Sequence, residues 1–187
     1  MPLPIEEQTF FTEEDYYKLP DDVRAELING KIYYMASPTQ LHQEISMELS
    51  RRIANYLADK GGPCKVLPAP FDVKLNEKKD DIVQPDLSVI CDRNKLDGKR
   101  CNGAPDWIIE IVSPSNATYD YVTKMRLYEN AGVKEYWIVN PEEKTIVVYN
   151  FQSNSDIISE YSFEDKVKAG IYEDFIIDFA EISKIIF

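Results

Sequence analysis

At 187 residues, 44% apolar and 12% aromatic, the chain has the make-up of one folded domain and not of a disordered segment. Its 21 Lys and Arg against 33 Asp and Glu leave a net charge of −12, which disfavours broad nonspecific binding to nucleic acid. No apolar run approaches the roughly 20 residues that span a bilayer, so a membrane protein is not expected.

The opening stretch, MPLPIEEQTFFTEEDYY, is acidic and carries neither a basic n-region nor a continuous apolar h-region. No export signal is expected from it, and the cytoplasm is the expected location. Thr12, with Asp15 three residues on, can N-cap a short helix that Pro20-Asp21-Asp22 would end. In AELINGKIYYM, Asn29-Gly30 between two apolar stretches signals a tight hairpin, because a type I′ turn needs positive φ at both central residues. That places Glu26 at the start of the first strand. From Leu41 to Lys60, Ile45, Leu49, Ile53 and Leu57 recur every four residues and predict an amphipathic helix stopped by Gly61-Gly62-Pro63. His42, three residues before Ile45, leans towards the same face.

CKVLPAPFDVKLN reads as one half-buried strand, with Phe71, Val73 and Leu75 on one side and Asp72 and Lys74 on the other. A polar loop, NEKKDD, leads to a strand IVQPDLSVI with Pro85 at its entrance, then to a turn-rich and partly basic loop, DRNKLDGKRCNG. WIIEIV is an apolar strand closed by Ser113-Pro114. A helix is expected from near Thr118 to Asn130, with Tyr121, Met125 and Tyr128 inward and Gly132 as the stop. EYWIVN and TIVVYNF form a hairpin around Pro141-Glu142-Glu143-Lys144, and the tail FIIDFAEISKIIF reads as a late strand or short helix covering an edge. The order implies a single α/β domain over residues 1–187, a mixed sheet with helices packed against it. Cys64, Cys91 and Cys101 are an odd count without a CxxC pair. They predict no disulfide framework and no zinc knuckle, only small fillers or surface thiols in a reducing setting.

Glu110 is the sharpest chemical clue. An ionised carboxylate inside an apolar strand is costly unless a cation, a donor or strand-end solvent meets it. Asp86 heads another strand; two acids converging from neighbouring strands would suit a hard ion such as Mg²⁺ or Mn²⁺, or else ordinary salt bridges. Lys124 stands at i,i+4 spacing from Asp120 and would make either an exposed ion pair or a charge reaching the two acids. Trp107 and Trp137 start apolar strands and read as core. No GxGxxG, P-loop, GxSxG or HExxH string is present, and one histidine cannot make a His-rich metal site.

The strings LINGKIYYMASPTQLHQEIS, QPDLSVICD, PDWIIEIVSPSN and KMRLYENAGVKEYWIVNP resemble the Uma-type family of restriction-endonuclease-like proteins, within the PD-(D/E)XK nuclease superfamily. The likeness runs from about Glu26 to Pro141 and implies a restriction-endonuclease-like α/β fold. Pro85-Asp86 resembles the PD element and Glu110 the second acid. The usual lysine would stand at Val112; the family likeness moves it into the next helix, to Lys124. The resemblance implies Asp86, Glu110 and Lys124 as catalytic residues. It implies Mg²⁺ or Mn²⁺ held by Asp86, Glu110, the Ile111 carbonyl and Glu26. His42 and Gln43 match an HQ element that would line the site. DNA is the implied partner, and contacts to it are expected near Lys95, Lys99, Arg100, Lys124 and Arg126, joined by Arg51 and Arg52 if the long helix faces that way.

Three functions stay open on sequence. The first is metal-dependent cleavage of DNA. The second is a binding or regulatory module on the same fold, as a homodimer, favoured by the −12 charge and the absent lysine at Val112. The third is a hydrolase of a small phosphorylated substrate.

Overall fold

The structure is a computed structural model that describes residues 10–77, 79–112, 119–153 and 157–187, and of 119–121 the backbone. The expected closure at Ser113-Pro114, the helix start at Thr118 and the side chains of Asp120 and Tyr121 lie outside the described residues.

The helices are α1 (Glu13–Tyr16), α2 (Gln40–Lys60), α3 (Met125–Ala131) and α4 (Phe179–Ile186). The strands are β1 (Ala25–Ile28), β2 (Lys31–Tyr34), β3 (Lys65–Pro68), β4 (Val73–Lys74), β5 (Ile82–Val83), β6 (Leu87–Ile90) and β7 (Cys101–Asn102). They continue as β8 (Trp107–Ile111), β9 (Glu135–Asn140), β10 (Thr145–Asn150), β11 (Ile158–Ser162), β12 (Lys166–Lys168) and β13 (Ile176–Asp178). A mixed six-stranded sheet has the order β11-β10-β9-β8-β6-β3, parallel only at β8–β9. A five-stranded sheet has the order β2-β1-β5-β4-β7, and β12 pairs with β13 separately. No helix among the described residues is long and apolar enough to cross a membrane.

Local signals hold where they are strong. Thr12 caps α1 with a full capping box to Asp15. Asn29 (φ 50°) and Gly30 (φ 73°) make the two-residue turn between β1 and β2. Ile45, Leu49 and Ile53 of α2 pack on one face of the large sheet, against Leu87, Val89, Trp107, Ile109, Trp137 and Val139. The opposite face carries Ile90, Ile108, Tyr136 and Ile138 and packs on Tyr128 of α3 and on Ile28, Val73 and Val83 of the small sheet. Both tryptophans are fully buried, as core. The tail provides both strand and helix, β13 running directly into α4.

Three expectations need correction. The single strand read through CKVLPAPFDVKLN is two, because Pro68-Ala69-Pro70 removes ladder donors between β3 in the large sheet and β4 in the small one. Pro85 likewise separates β5 from β6, so IVQPDLSVI also serves both sheets. Third, Cys64 and Cys91 form a disulfide. The antiparallel register Lys65↔Ile90 carries Cys64 to a place beside Cys91, a pairing across 27 residues that spacing alone does not show. Cys101 is free and buried, and burial pushes its thiol up to about 11.

The small sheet is tied to the N-terminal helix by charge. Glu13 accepts from Lys74 and from Arg100, and Tyr16 donates to Asp72 at 3.0 Å. The Lys74 hydrogen bond above all, with help from Arg100, holds the Glu13 carboxyl below its ordinary range against the opposing cost of burial. A depressed acid stabilises above its unfolded pKa, and that stability is lost as pH falls through the folded value. Acidification is therefore expected to lower the amide protection factors of residues 13–17, taken relative to intrinsic exchange at each pH, before the large sheet opens, and Glu13→Gln to flatten that pH dependence.

Candidate functional site

The β-period places the acids. Along β8, Trp107, Ile109 and Ile111 point to the α2 core, so Glu110 falls with Ile108 on the opposite face. The register Leu87↔Ile109, taken one step further, sets Asp86 against Glu110, and the Asp86 N–H lies 3.4 Å from Glu110 Oε2. Glu26 comes from β1 in the small sheet, and the Gln84 N–H donates to its Oε1 at 3.0 Å. Glu26 and Glu110 are 3% and 4% exposed, so each needs a cation or donors.

Lys124 is that cation. Its Nζ stands 2.9 Å from Glu110 Oε1 and 3.0 Å from Glu26 Oε1, and the lysine itself is buried. It ends a π-helical segment, Tyr119–Lys124, that leads into α3. Such widened turns recur at functional sites because they re-aim a side chain that α geometry would direct elsewhere. Tyr128 of α3 donates to the same Glu110 oxygen at 2.7 Å. Burial, reinforced by the Glu110 and Glu26 charges, pushes its phenol well above the ordinary tyrosine value, so it remains a donor. Asp86 Oδ2 accepts from the Ile111 N–H at 2.8 Å and lies 3.0 Å from His42 Nε2 at the start of α2. Oδ1 of Asp86 has no hydrogen-bond partner among the described residues.

These groups open on a cavity of about 390 Å³ lined by Arg24, Glu26, His42, Asp86, Glu110, Ile111 and Lys124, with the segment 33–39, Val112, Pro141 and Glu142 at its mouth and walls. The fold thus gathers Asp86, Glu110, Lys124, Glu26, Ile111 and His42. Gln43 is not gathered: one residue on from His42, it is exposed on the outer side of α2. Of the basic residues expected at DNA, only Lys124 lines the cavity among the described residues. Lys99 and Arg126 are exposed, Arg100 is committed to Glu13, and Lys95 donates to the Ala104 carbonyl. Arg51 and Arg52 both pair with Glu48.

The donor set fits a hard divalent ion in part. Two carboxylates on adjacent strands match the one or two that Mg²⁺ takes, the rest of its shell being water and phosphate. Glu26 does not complete a three-acid set, because Lys124 stands between it and Glu110. Among the described residues no group of three or more His, Cys, Asp or Glu is placed to hold a metal ion. Ile111 is seen here through its N–H to Asp86 rather than its carbonyl.

Arg24 was missed on sequence. It stands two residues before Glu26, and the ladder reaches it through the Met35 N–H to the Arg24 carbonyl at 2.9 Å, so both side chains share a face. That parity was readable once Glu26 had been placed.

The family model described as "putative restriction endonuclease", Uma2, matches residues 13–172. The chain belongs to the Uma2 family. An uncharacterized Synechocystis protein, slr1290, is 28% identical over 145 residues, 76% of this chain and 75% of its own. The crystal structure of a "putative nuclease belonging to DUF820" from Anabaena variabilis superposes with a TM-score of 0.77 at 20% identity, over 95% of this chain and 99% of that one. At that identity the likeness carries the fold, and this Uma2 chain has the mixed α/β architecture of a nuclease-fold protein. The family match extends beyond the motif strings, from α1 to the turn before β13.

Proposed function

We propose that this Uma2 protein is a metal-dependent endonuclease that hydrolyses phosphodiester bonds in DNA. The observation that carries the reading is the buried Lys124, shared by Glu110 and Glu26 beside Asp86 in one cavity. Asp86 and Glu110 would hold Mg²⁺ or Mn²⁺, which when bound supplies Lewis acidity at the phosphate and a water of lowered pKa. The Ile111 N–H and His42 fix one Asp86 oxygen and leave the other facing the ligand. Tyr128 holds Glu110 in its rotamer. The Lys124 ammonium offers N–H donors to the attacking water or to charge growing on the phosphate.

Calorimetry of Mg²⁺ or Mn²⁺ binding to wild type and Asp86→Ala, with nicking of supercoiled plasmid, tests this. Wild type is expected to bind the ion and nick, and Asp86→Ala to lose both. Wild type without ion binding, together with nicking unchanged in Asp86→Ala, overturns the mechanism. The size of the cavity favours a second reading, hydrolysis of a small phosphorylated compound. Turnover of nucleotides but not plasmid under Mn²⁺ would select it.

A further inference from the structure

An endonuclease still has to hold its substrate, and the charges that would do so for a duplex are not where the cavity is. The exposed or loop cations Lys99, Arg100 and Arg126 lie outside its lining, and Glu142 adds an acid at its edge. Only two cations line the cavity among the described residues, Lys124 and Arg24. Lys124 is already matched by two carboxylates.

Arg24 differs. Its Nε donates to Gln84 Oε1 at 3.3 Å, and Gln84 is itself held by its amide donating to Asp72 at 2.9 Å and to Tyr16 OH at 3.3 Å. The guanidinium is therefore oriented from behind by a polar relay. Its Nη2 is shielded from bulk water and has no hydrogen-bond partner among the described residues. An N–H left so is costly, and the guanidinium fork is shaped for an anionic oxygen pair. At the mouth of the same cavity Tyr34 is 71% exposed, a phenol ring with no stacking partner among the described residues.

We infer that the cavity takes single-stranded DNA, with Arg24 receiving one phosphate and Tyr34 stacking an adjacent base. This rests on the nuclease reading and narrows its substrate. The acids are reached through a cavity of about 390 Å³, and a flexible single strand can bend a phosphate into it where a stiff duplex would have to be distorted. Aromatic stacking supplies contact without a long cationic track, which suits a chain of net charge −12.

The test is fluorescence anisotropy with a labelled thymidine dodecamer and with a duplex of equal length, in Ca²⁺, across a salt series. The single strand is expected to bind about tenfold more tightly than the duplex. Its log–log salt slope should be about −1, the value for one or two phosphates. Arg24→Gln should weaken binding about tenfold and make the slope shallower by about 0.7, and Arg24→Lys should keep the slope with a smaller loss. Tyr34→Ala should cost about tenfold. Lys99→Gln and Arg126→Gln should change nothing. The melting temperature of each variant separates misfolding from lost contact, and Arg24→Lys retains the charge if Arg24→Gln fails to fold. Tighter duplex binding with a steep slope, absent single-strand binding, or a larger effect at Lys99 or Arg126 than at Arg24 overturns the inference. Intact single-strand binding without any nicking overturns the nuclease reading and leaves this one standing.

Discussion

Lys124→Met is expected to destabilise the fold by about 3–5 kcal/mol, the usual cost of breaking a buried ion pair by removing one partner. The lysine bridges Glu110 and Glu26 at 2.9 and 3.0 Å with all three side chains at most 5% exposed. Methionine fills the volume but leaves two carboxylates facing each other without their shared cation, in a setting where little water can screen them. The link also joins the two sheets, since Glu26 belongs to the small sheet and Glu110 to the large one. Urea unfolding followed by tryptophan fluorescence measures the loss, because Trp107 and Trp137 are both fully buried. A second arm gives the result a functional edge. If the acids accept a divalent ion, millimolar Mg²⁺ should raise the stability of Lys124→Met by more than that of wild type, through mass action on the folded state. Equal stability of variant and wild type would mean that the three groups do not share a buried charge network.

The site was legible in proportion to how local its signals are. Glu110 could be read from WIIEIV because a carboxylate in an apolar strand needs a reason, and period two fixes its face. Asn29-Gly30 and the α2 stripe were readable for the same kind of reason: each depends on a few neighbouring residues. Lys124 was not. Its side chain reaches Glu110 only through a π-helical turn that no four-residue rule anticipates, and family likeness supplied it. Arg24 escaped because its meaning lies in Gln84, some 60 residues away, and in the cavity that Arg24 borders. Cys64 and Cys91 misled because an odd cysteine count says nothing about strand register. The basic residues misled in another way. Arg100, Arg51 and Arg52 carry the right charge for DNA, yet folding matches them with Glu13 and Glu48.

Glu110→Gln is expected to separate function from fold, with nicking and divalent-ion affinity each falling at least about 10²-fold. Stability should fall by only about 1 kcal/mol, the order of one charged hydrogen bond replaced by a neutral one. The asymmetry with Lys124 follows from what each change leaves behind. The amide is isosteric, keeps an oxygen for the Tyr128 hydroxyl at the 2.7 Å position, and leaves Lys124 still paired with Glu26. No buried charge is orphaned. What is lost is the second anionic donor opposite Asp86, and a neutral amide is a far poorer partner for a hard cation. Tyr128→Phe supplies the intermediate case. It deletes the donor that fixes Glu110 but spares its charge, so ion affinity should drop by about 10–100-fold, the usual effect of an outer partner. Paired calorimetry and urea melts on the two variants read both quantities. If Glu110→Gln unfolds the protein as severely as Lys124→Met, the acid is a structural counter-ion to the lysine. If it spares stability while ion binding and nicking disappear together, the carboxylate is there for the ligand.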